Sequence, residues 1–210
     1  LTILLIVPAL LTAYRWYISG GNLGLIDGYV STLFNVTSVV TTTGYASDDY
    51  SAWGPLAFVV FFFLMFVGGC SGSTSGGMKI FRFQLSLIVL REQLMRLLHP
   101  RAVFTRNYNG RAVSDEIIAS MIAYTFIFLL SLLLITTALA AMQLDFITSI
   151  SSALTVLTNV GPGLGTTVGP GGTFASLPEA AKWILSVGML MGRLEILSVV
   201  IVLSPAFWRS

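Results

Sequence analysis

Two short strings hold the residues with the least ordinary chemistry: Thr41-Thr42-Thr43-Gly44-Tyr45 and Thr158-Asn159-Val160-Gly161-Pro162. Each sets carbonyl- and hydroxyl-bearing residues around a glycine, which can take the left-handed backbone that turns successive carbonyl oxygens inward. A row of such oxygens can replace the hydration shell of a cation. Each string also follows a short apolar stretch. A helix ending there aims the negative end of its dipole at the same point. For either glycine alone a helix cap is the plainer reading. Two such strings, 117 residues apart and in the same context, favour a cation path.

A second feature is the tract Gly68-Gly69-Cys70-Ser71-Gly72-Ser73-Thr74-Ser75-Gly76-Gly77, which interrupts an apolar run. In water this composition is a flexible linker. At membrane depth its peptide groups would each cost several kcal/mol if exposed to lipid, so the tract must be buried or face water. Two other chemistries share its letters. Gly69 to Gly72 imitates an intramembrane serine protease, but that needs a general base, and the single histidine, His99, lies in a basic segment beside Pro100. The tract is no phosphate loop either, because Met78 separates Gly77 from Lys79.

Arg193 is the third feature. It lies in an apolar run 16 residues before Arg209, about 24 Å along a helix and beyond the reach of snorkelling. Intramembrane charges face cavities and mark pathways. An ion pair with Glu195 is the alternative, although positions i and i+2 point to different faces. Arg193 is therefore expected to line the path, raise the barrier to a cation and hold the glycine tract through its carbonyls.

The elements that position these residues follow from composition. The chain has 210 residues, 55% hydrophobic and 10% charged, with a mean hydropathy of +0.87. A soluble domain carries roughly 25% charge, and disordered chains are poor in apolar residues, so a membrane protein is expected. One cysteine excludes an internal disulfide and a multi-cysteine metal site. A net charge of +2 is too small to imply a nucleic-acid partner. Four stretches approach the ~20 apolar residues of a spanning helix: Leu1 to Ile18, Pro55 to Val67 resuming as Met78 to Leu98, Ile117 to Met142, and Pro178 to Leu203. Gly28 to Val40 and Phe146 to Leu157 reach only about 18–20 Å and read as re-entrant half-membrane helices.

Lys79, Arg82, Arg91, Arg96, Arg101, Arg106, Arg111 and Arg209 gather on one side, which the positive-inside rule makes cytoplasmic along with the C-terminus. The other side holds Arg15 and Lys182 against Asp27, Asp48, Asp49, Asp145 and Glu179, an acidic face that attracts cations. Trp53, Trp183 and Trp208 lie near span ends, where aromatic belts form.

The offset of 117 residues also sets Thr41 on Thr158 and Ser38 on Thr155, with Asp27 meeting Asp145 after a one-residue gap. Met65 to Gly69 meets Met189 to Arg193. Two units result, residues 1–98 and 113–210, joined by a basic cytoplasmic connection, 99–112. Parallel repeats of this kind surround an axis normal to the membrane. The expected fold is all-α and transmembrane, with tandem repeats of span, re-entrant helix, glycine-bearing loop and span. Leu1 falls inside an apolar run, so the first unit is expected to be truncated and the chain to be the C-terminal half of a longer subunit.

Thr42-Thr43-Gly44-Tyr45 resembles the Thr-Val-Gly-Tyr filter of potassium channels. The strings GGCSGSTSGGMK (68–79), HPRAV (99–103), TNVGPGLG (158–165), MLMGRLEI (189–196) and the terminal FWRS resemble the TrkH-type membrane subunit of bacterial potassium uptake systems, within the Trk/Ktr/HKT superfamily. The resemblance implies four membrane-pore-membrane repeats with re-entrant pore helices around one pore, a potassium-channel-like fold, of which these are the third and fourth. It implies a filter at Thr41 to Tyr45 and Thr158 to Pro162, with K⁺ held at Thr42, Thr43, Asn159 and Val160. The gate would comprise Gly68, Gly69, Ser71, Gly72, Ser73, Thr74, Ser75, Gly76, Gly77 and Arg193.

The resemblance further implies a bacterial inner-membrane protein that is no enzyme, takes up K⁺ by passive flow or symport, and has no cofactor in this chain. It implies a homodimer and a cytosolic TrkA-type regulatory subunit that carries NAD(H) or ATP/ADP. The second string shares only its glycine with the channel pattern, which leaves Na⁺ or mixed alkali cations as an alternative cargo. A non-conducting membrane assembly or protease-like subunit is the alternative from another class.

Overall fold

The computed structural model describes residues 2–69, 72–73, 76–99, 107–108, 110–194, 201 and 208. Seven α-helices follow one another as α1 (Thr2–Ile18), α2 (Leu25–Val40), α3 (Pro55–Phe66), α4 (Ile80–Leu98), α5 (Asp115–Ala141), α6 (Phe146–Thr158) and α7 (Glu179–Arg193). The order helix, short helix, loop, helix occurs twice, with the third helix of the first unit broken into α3 and α4.

Local sequence sets the breaks. Pro55 occupies the first turn of α3, where its missing N–H costs nothing, directly after Gly54 at a φ of +100°. Asp145 caps α6: the Thr148 backbone N–H donates to its Oδ2 at 3.0 Å. Asp27, the residue that the repeat sets against Asp145, does no such thing. It lies inside the first turn of α2, whose cap, Gly24, has no side chain to offer. The two acids share a position in the pattern but not a role.

Helix α6 is the centre of the molecule. It packs against α5, α7 and α3, while α2 packs against α1 and α3. Phe61, Met65, Phe128, Leu139, Leu154 and Leu157 are fully buried in this core. Polarity is inverted relative to a soluble bundle. Thr148, Ser149, Ser151, Ser152, Thr155 and Thr158 of α6 are buried, whereas Phe126, Leu130, Leu133 and Leu134 of α5 face outward. Lipid tails are as apolar as leucine, so association inside a bilayer depends on close packing of small residues and on buried hydrogen bonds. On α7 the Gly188-x-x-x-Gly192 pair serves this need. A Cβ at Gly188 would already lie 3.0 Å from Val156 Cγ2, and one at Gly192 would collide with the Leu157 carbonyl oxygen.

Among the described residues only α5, at 27 residues, is a helix both long and apolar enough to cross a bilayer by itself. Helix α4 differs from the apolar resumption read in the sequence. It carries Arg82, Arg91, Glu92 and Arg96, and only Leu85 and Glu92 are buried. The fourth apolar run is helical through Arg193, and residues 195–200 and 202–207 lie outside the described set, Glu195 among them. Trp53 is not on a belt. It is buried, with the Arg15 guanidinium 3.6 Å above its ring and its Nε1 donating to Asp48 Oδ2 at 3.0 Å. Arg15 closes the cluster with an ion pair to Asp48 at 3.1 Å.

Candidate functional site: two glycine strings and a glycine-rich tract

Helices α2 and α6 end in the same way, residue for residue. The Thr42 and Thr43 N–H groups donate to the carbonyls of Val39 and Ser38, at 3.1 and 2.9 Å. At the 117-residue offset, those of Asn159 and Val160 donate to Val156 and Thr155, at 3.3 and 3.1 Å. This is the paired bond pattern of a Schellman stop. The left-handed residue it requires is Thr42 (φ +56°) in one unit and Asn159 (φ +55°) in the other. Asparagine tolerates that conformation, but a β-branched threonine is an outlier there. The hydroxyls repeat as well. Thr41 Oγ1 donates to the Thr37 carbonyl at 2.7 Å, and Thr158 Oγ1 to that of Leu154 at 2.9 Å.

The glycines therefore do not cap the helices. Gly44 and Gly161 lie two residues beyond the left-handed turn and have positive φ of their own, +81° and +115°. The structure brings them together. A Cβ on Gly44 would collide with the Val160 carbonyl oxygen and lie 3.4 Å from Pro162 Cδ, and one on Gly161 would lie 3.7 Å from Gly44 Cα. Two strings 117 residues apart thus run side by side at a spacing only glycine allows, and the C-terminal ends of α2 and α6 both lead into them. Thr158 and Val160 are buried, Asn159 and Pro162 half-buried, while Thr41, Thr43 and Tyr45 are exposed.

The loops beyond the strings are joined too: the Gly165 N–H donates to Ser51 Oγ at 3.2 Å. Asp145 touches this arrangement through α6 alone. Hydrogen bonding to Thr148 holds its carboxyl below the usual aspartate range.

The glycine tract is a closed excursion. Val67–Gly68 and Met78–Lys79 pair as two-residue parallel strands at its base, and the Ile80 N–H donates to the Gly69 carbonyl at 3.2 Å. Its far limb runs against the end of α6. A Cβ on Gly76 would collide with the Thr158 carbonyl oxygen and lie 3.2 Å from Asn159 Cβ. Gly77, at φ +74°, sits against the Thr158 side chain. Gly76 and Gly77 are buried, whereas Gly72 and Ser73 are exposed; Cys70, Ser71, Thr74 and Ser75 lie outside the described residues. From the other side the Tyr124 hydroxyl on α5 donates to the Gly77 carbonyl at 3.3 Å, and the Arg82 guanidinium lies 3.8 Å over the Tyr124 ring.

Arg193 stands exposed in the last turn of α7. It follows Gly192, whose backbone reaches the Leu157 carbonyl and the Asn159 amide, and Asn159 Nδ2 donates to the Met189 carbonyl at 3.2 Å. The second string, the tract and the end of α7 thus converge on the last turn of α6. Tyr124, Thr155 and Gly192 carry much of this geometry without standing out in the sequence. The signals available were the crowd of hydroxyls in the apolar stretch of α6 and the small-residue spacing of α7.

A family model described as TrkH, cation transport protein, matches residues 21–210. The Trk system potassium uptake protein TrkI of Halomonas elongata is 54% identical over 207 residues, covering 99% of this chain and 42% of that protein. TrkH of Vibrio parahaemolyticus is 37% identical over 188 residues, covering 88% of this chain and 37% of its own length. The crystal structure of the potassium transporter TrkH from Vibrio parahaemolyticus superimposes with a TM-score of 0.87 at 33% identity, over 99% of this chain and 43% of that one. The chain spans about two fifths of the length of these relatives.

Proposed function

The chain belongs to the TrkH family of cation transport proteins, a family of transporters and not of enzymes, and from that premise we propose that it supplies two of four membrane-pore-membrane repeats around one potassium pathway. Residues 1–98 form one repeat, 113–210 the next, and 99–112 the cytoplasmic connection. The preceding repeats of the same subunit complete the ring. The observation that carries this reading is the approach of Gly44 to the Val160 carbonyl, at the ends of two short helices with matching stops. Such backbone is tolerated at membrane depth only where it is buried or lines a wet cavity. The left-handed Thr42 supports it, because strained non-glycine backbone gathers at functional sites.

K⁺ binds at the carbonyls and hydroxyls of Thr42, Thr43, Asn159 and Val160, within strands Thr41 to Tyr45 and Thr158 to Pro162. Two helix C-termini supply negative potential there without a fixed carboxylate. Below them the tract from Gly68 to Gly77 obstructs the path, with Gly76 against Thr158 and Tyr124 on Gly77. Arg193 adds a positive charge near the same turn and raises the barrier to a desolvated cation. The subunit is a multi-pass protein of the bacterial inner membrane, works as a homodimer, and takes its regulation from a TrkA-type nucleotide-binding partner on the basic face around Arg91 to Arg111.

Growth rescue tests the reading. The full-length parent should restore growth at low K⁺ to a bacterium lacking potassium uptake, and accumulate Rb⁺ in preference to Na⁺. A parent that reaches the membrane without restoring growth would refute it. A second cargo, Na⁺ or mixed alkali cations, has one specific support: Asn159, Val160 and Pro162 stand where the channel pattern has Thr, Val and Tyr. Equal uptake of Rb⁺ and Na⁺ would favour that cargo.

A further inference from the structure

The two strings share their helix stop but differ in what holds them. Behind Gly161, Thr155 Oγ1 accepts a hydrogen bond from the Gly161 N–H at 3.1 Å and donates to the Pro162 carbonyl at 3.0 Å. The hydroxyl is almost wholly buried, and its one proton is committed to the Pro162 carbonyl. The residue in the same place behind Gly44 is Ser38. Its Oγ is also buried, and among the described residues it has no hydrogen-bond partner. The Gly44 N–H reaches only the Ser38 main-chain carbonyl, at 3.4 Å.

The first loop is anchored elsewhere. Asn35, nearly one turn earlier on α2, donates from Nδ2 to Ser47 Oγ at 2.9 Å and accepts from the Ser47 N–H at 3.1 Å. Its counterpart in α6 is Ser152, whose Oγ has no partner among the described residues. One string is held three residues past its glycine, the other at the glycine itself.

That difference bears on carbonyl direction. The Gly161 N–H and the Val160 C=O belong to one peptide group, which is planar and trans, so the two point in opposite directions. Holding the N–H toward Thr155 fixes the carbonyl of Val160 on the other side, where Gly44 meets it. The bond to the Pro162 carbonyl turns that oxygen, two residues beyond Val160, back toward α6. Among the described residues the peptide group between Thr43 and Gly44 has no side-chain clamp, only the 3.4 Å bond of its N–H to the Ser38 carbonyl.

We propose that Thr155 is a specificity-determining positioning residue, whose hydroxyl locks the Val160–Gly161 peptide while the corresponding Thr43–Gly44 peptide stays compliant. The proposal rests on the reading of the two strings as filter strands. The test measures the ratio of Rb⁺ to Na⁺ uptake by the full-length parent in cells lacking other potassium uptake. A ratio is the right readout, since a merely structural role lowers uptake of both ions together.

Thr155→Val keeps the shape and removes both bonds, and should lower the ratio about fivefold, the weight of the one bond that orients the Val160–Gly161 peptide. Thr155→Ala should do the same, Thr155→Ser should keep the parental ratio, and Ser38→Ala should leave it within about twofold. A parental ratio in Thr155→Val or Thr155→Ala would overturn the proposal. So would failure of both to accumulate while Ser38→Ala accumulates, which would give Thr155 a folding role only. Gly161→Ser separates the two layers of inference. If it too leaves the ratio unchanged, the filter reading fails; if it changes the ratio and Thr155→Val does not, only the role of Thr155 fails.

Discussion

The hydroxyl of Tyr124 donates to the carbonyl of Gly77, joining the middle of α5 to the far limb of the glycine tract across 47 positions of sequence. A tract of small residues has few side chains to hold it, so single bonds from neighbours weigh heavily on where it rests. With Arg82 stacked on the same ring, α4 and α5 both bear on that bond.

Removing it should loosen the obstruction. Tyr124→Phe deletes the donor and keeps the ring that Arg82 covers. Basal Rb⁺ uptake by the full-length parent, without its regulatory partner, should rise about fivefold, the weight of one hydrogen bond. Unchanged uptake at equal membrane abundance would contradict a gating role for the tract.

Gly44→Ala introduces a Cβ where the Val160 carbonyl lies and forces an alanine to a φ of +81°. Backbone strain alone costs about 1–2 kcal/mol, and the collision must separate the strings. Uptake should fall at least tenfold relative to Gly72→Ala, whose Cβ would meet nothing within 4 Å among the described residues. Equal uptake by the two variants would show that close approach of the strings is dispensable.

Arg193→Ala should raise basal cation flux, because it removes positive charge beside the last turn of α6. Arg193→Lys should keep the flux low. A fall in flux at normal expression in the alanine variant would contradict the barrier role.

Asp145 gives a pH signature outside the spans. Its folded-state pKa lies below the unfolded value of about 3.9, through the bonds from Thr148. Its contribution is therefore complete above the unfolded value and fades as pH falls through the folded one. Detergent-solubilised protein should lose thermal stability on acidification below about pH 4. In Asp145→Asn, which keeps an acceptor for the cap, that loss should be smaller. Asp145→Ala should be less stable by about 1 kcal/mol at neutral pH. Identical acid sensitivity in Asp145→Asn and the parent would remove the assignment.

Much of the architecture was legible in the sequence because its causes are local. Apolar runs of limited length located α2 and α6 to within a few residues, and ten consecutive small residues announced the break between α3 and α4. The offset of 117 residues located both helix stops, and weighing the pair together set aside Gly44 and Gly161 as caps; that the turn is made by Thr42 and Asn159 was not legible. What depends on contact between distant segments was not legible. Nothing near Trp53 in sequence says that Arg15 covers it, and nothing near Ser38 or Thr155 says that only one of them ties down a loop. The shared Asp shows the same limit, since the pattern records position while Asp145 caps α6 and Asp27 falls three residues past Gly24, the cap of α2.

The last turn of α6 meets the glycine tract at Gly76 and α7 at Gly192, in both cases through backbone carbonyls, with the Asn159 side chain at the edge of each contact. Side chains are what lets a packed interface absorb small movements, by changing rotamer, and Asn159 is itself tied to the Met189 carbonyl. A joint so nearly bare behaves as a bearing surface: a shift of α7 or of the tract by a few tenths of an ångström has little to dissipate it and passes into the carbonyls of Leu157 and Thr158.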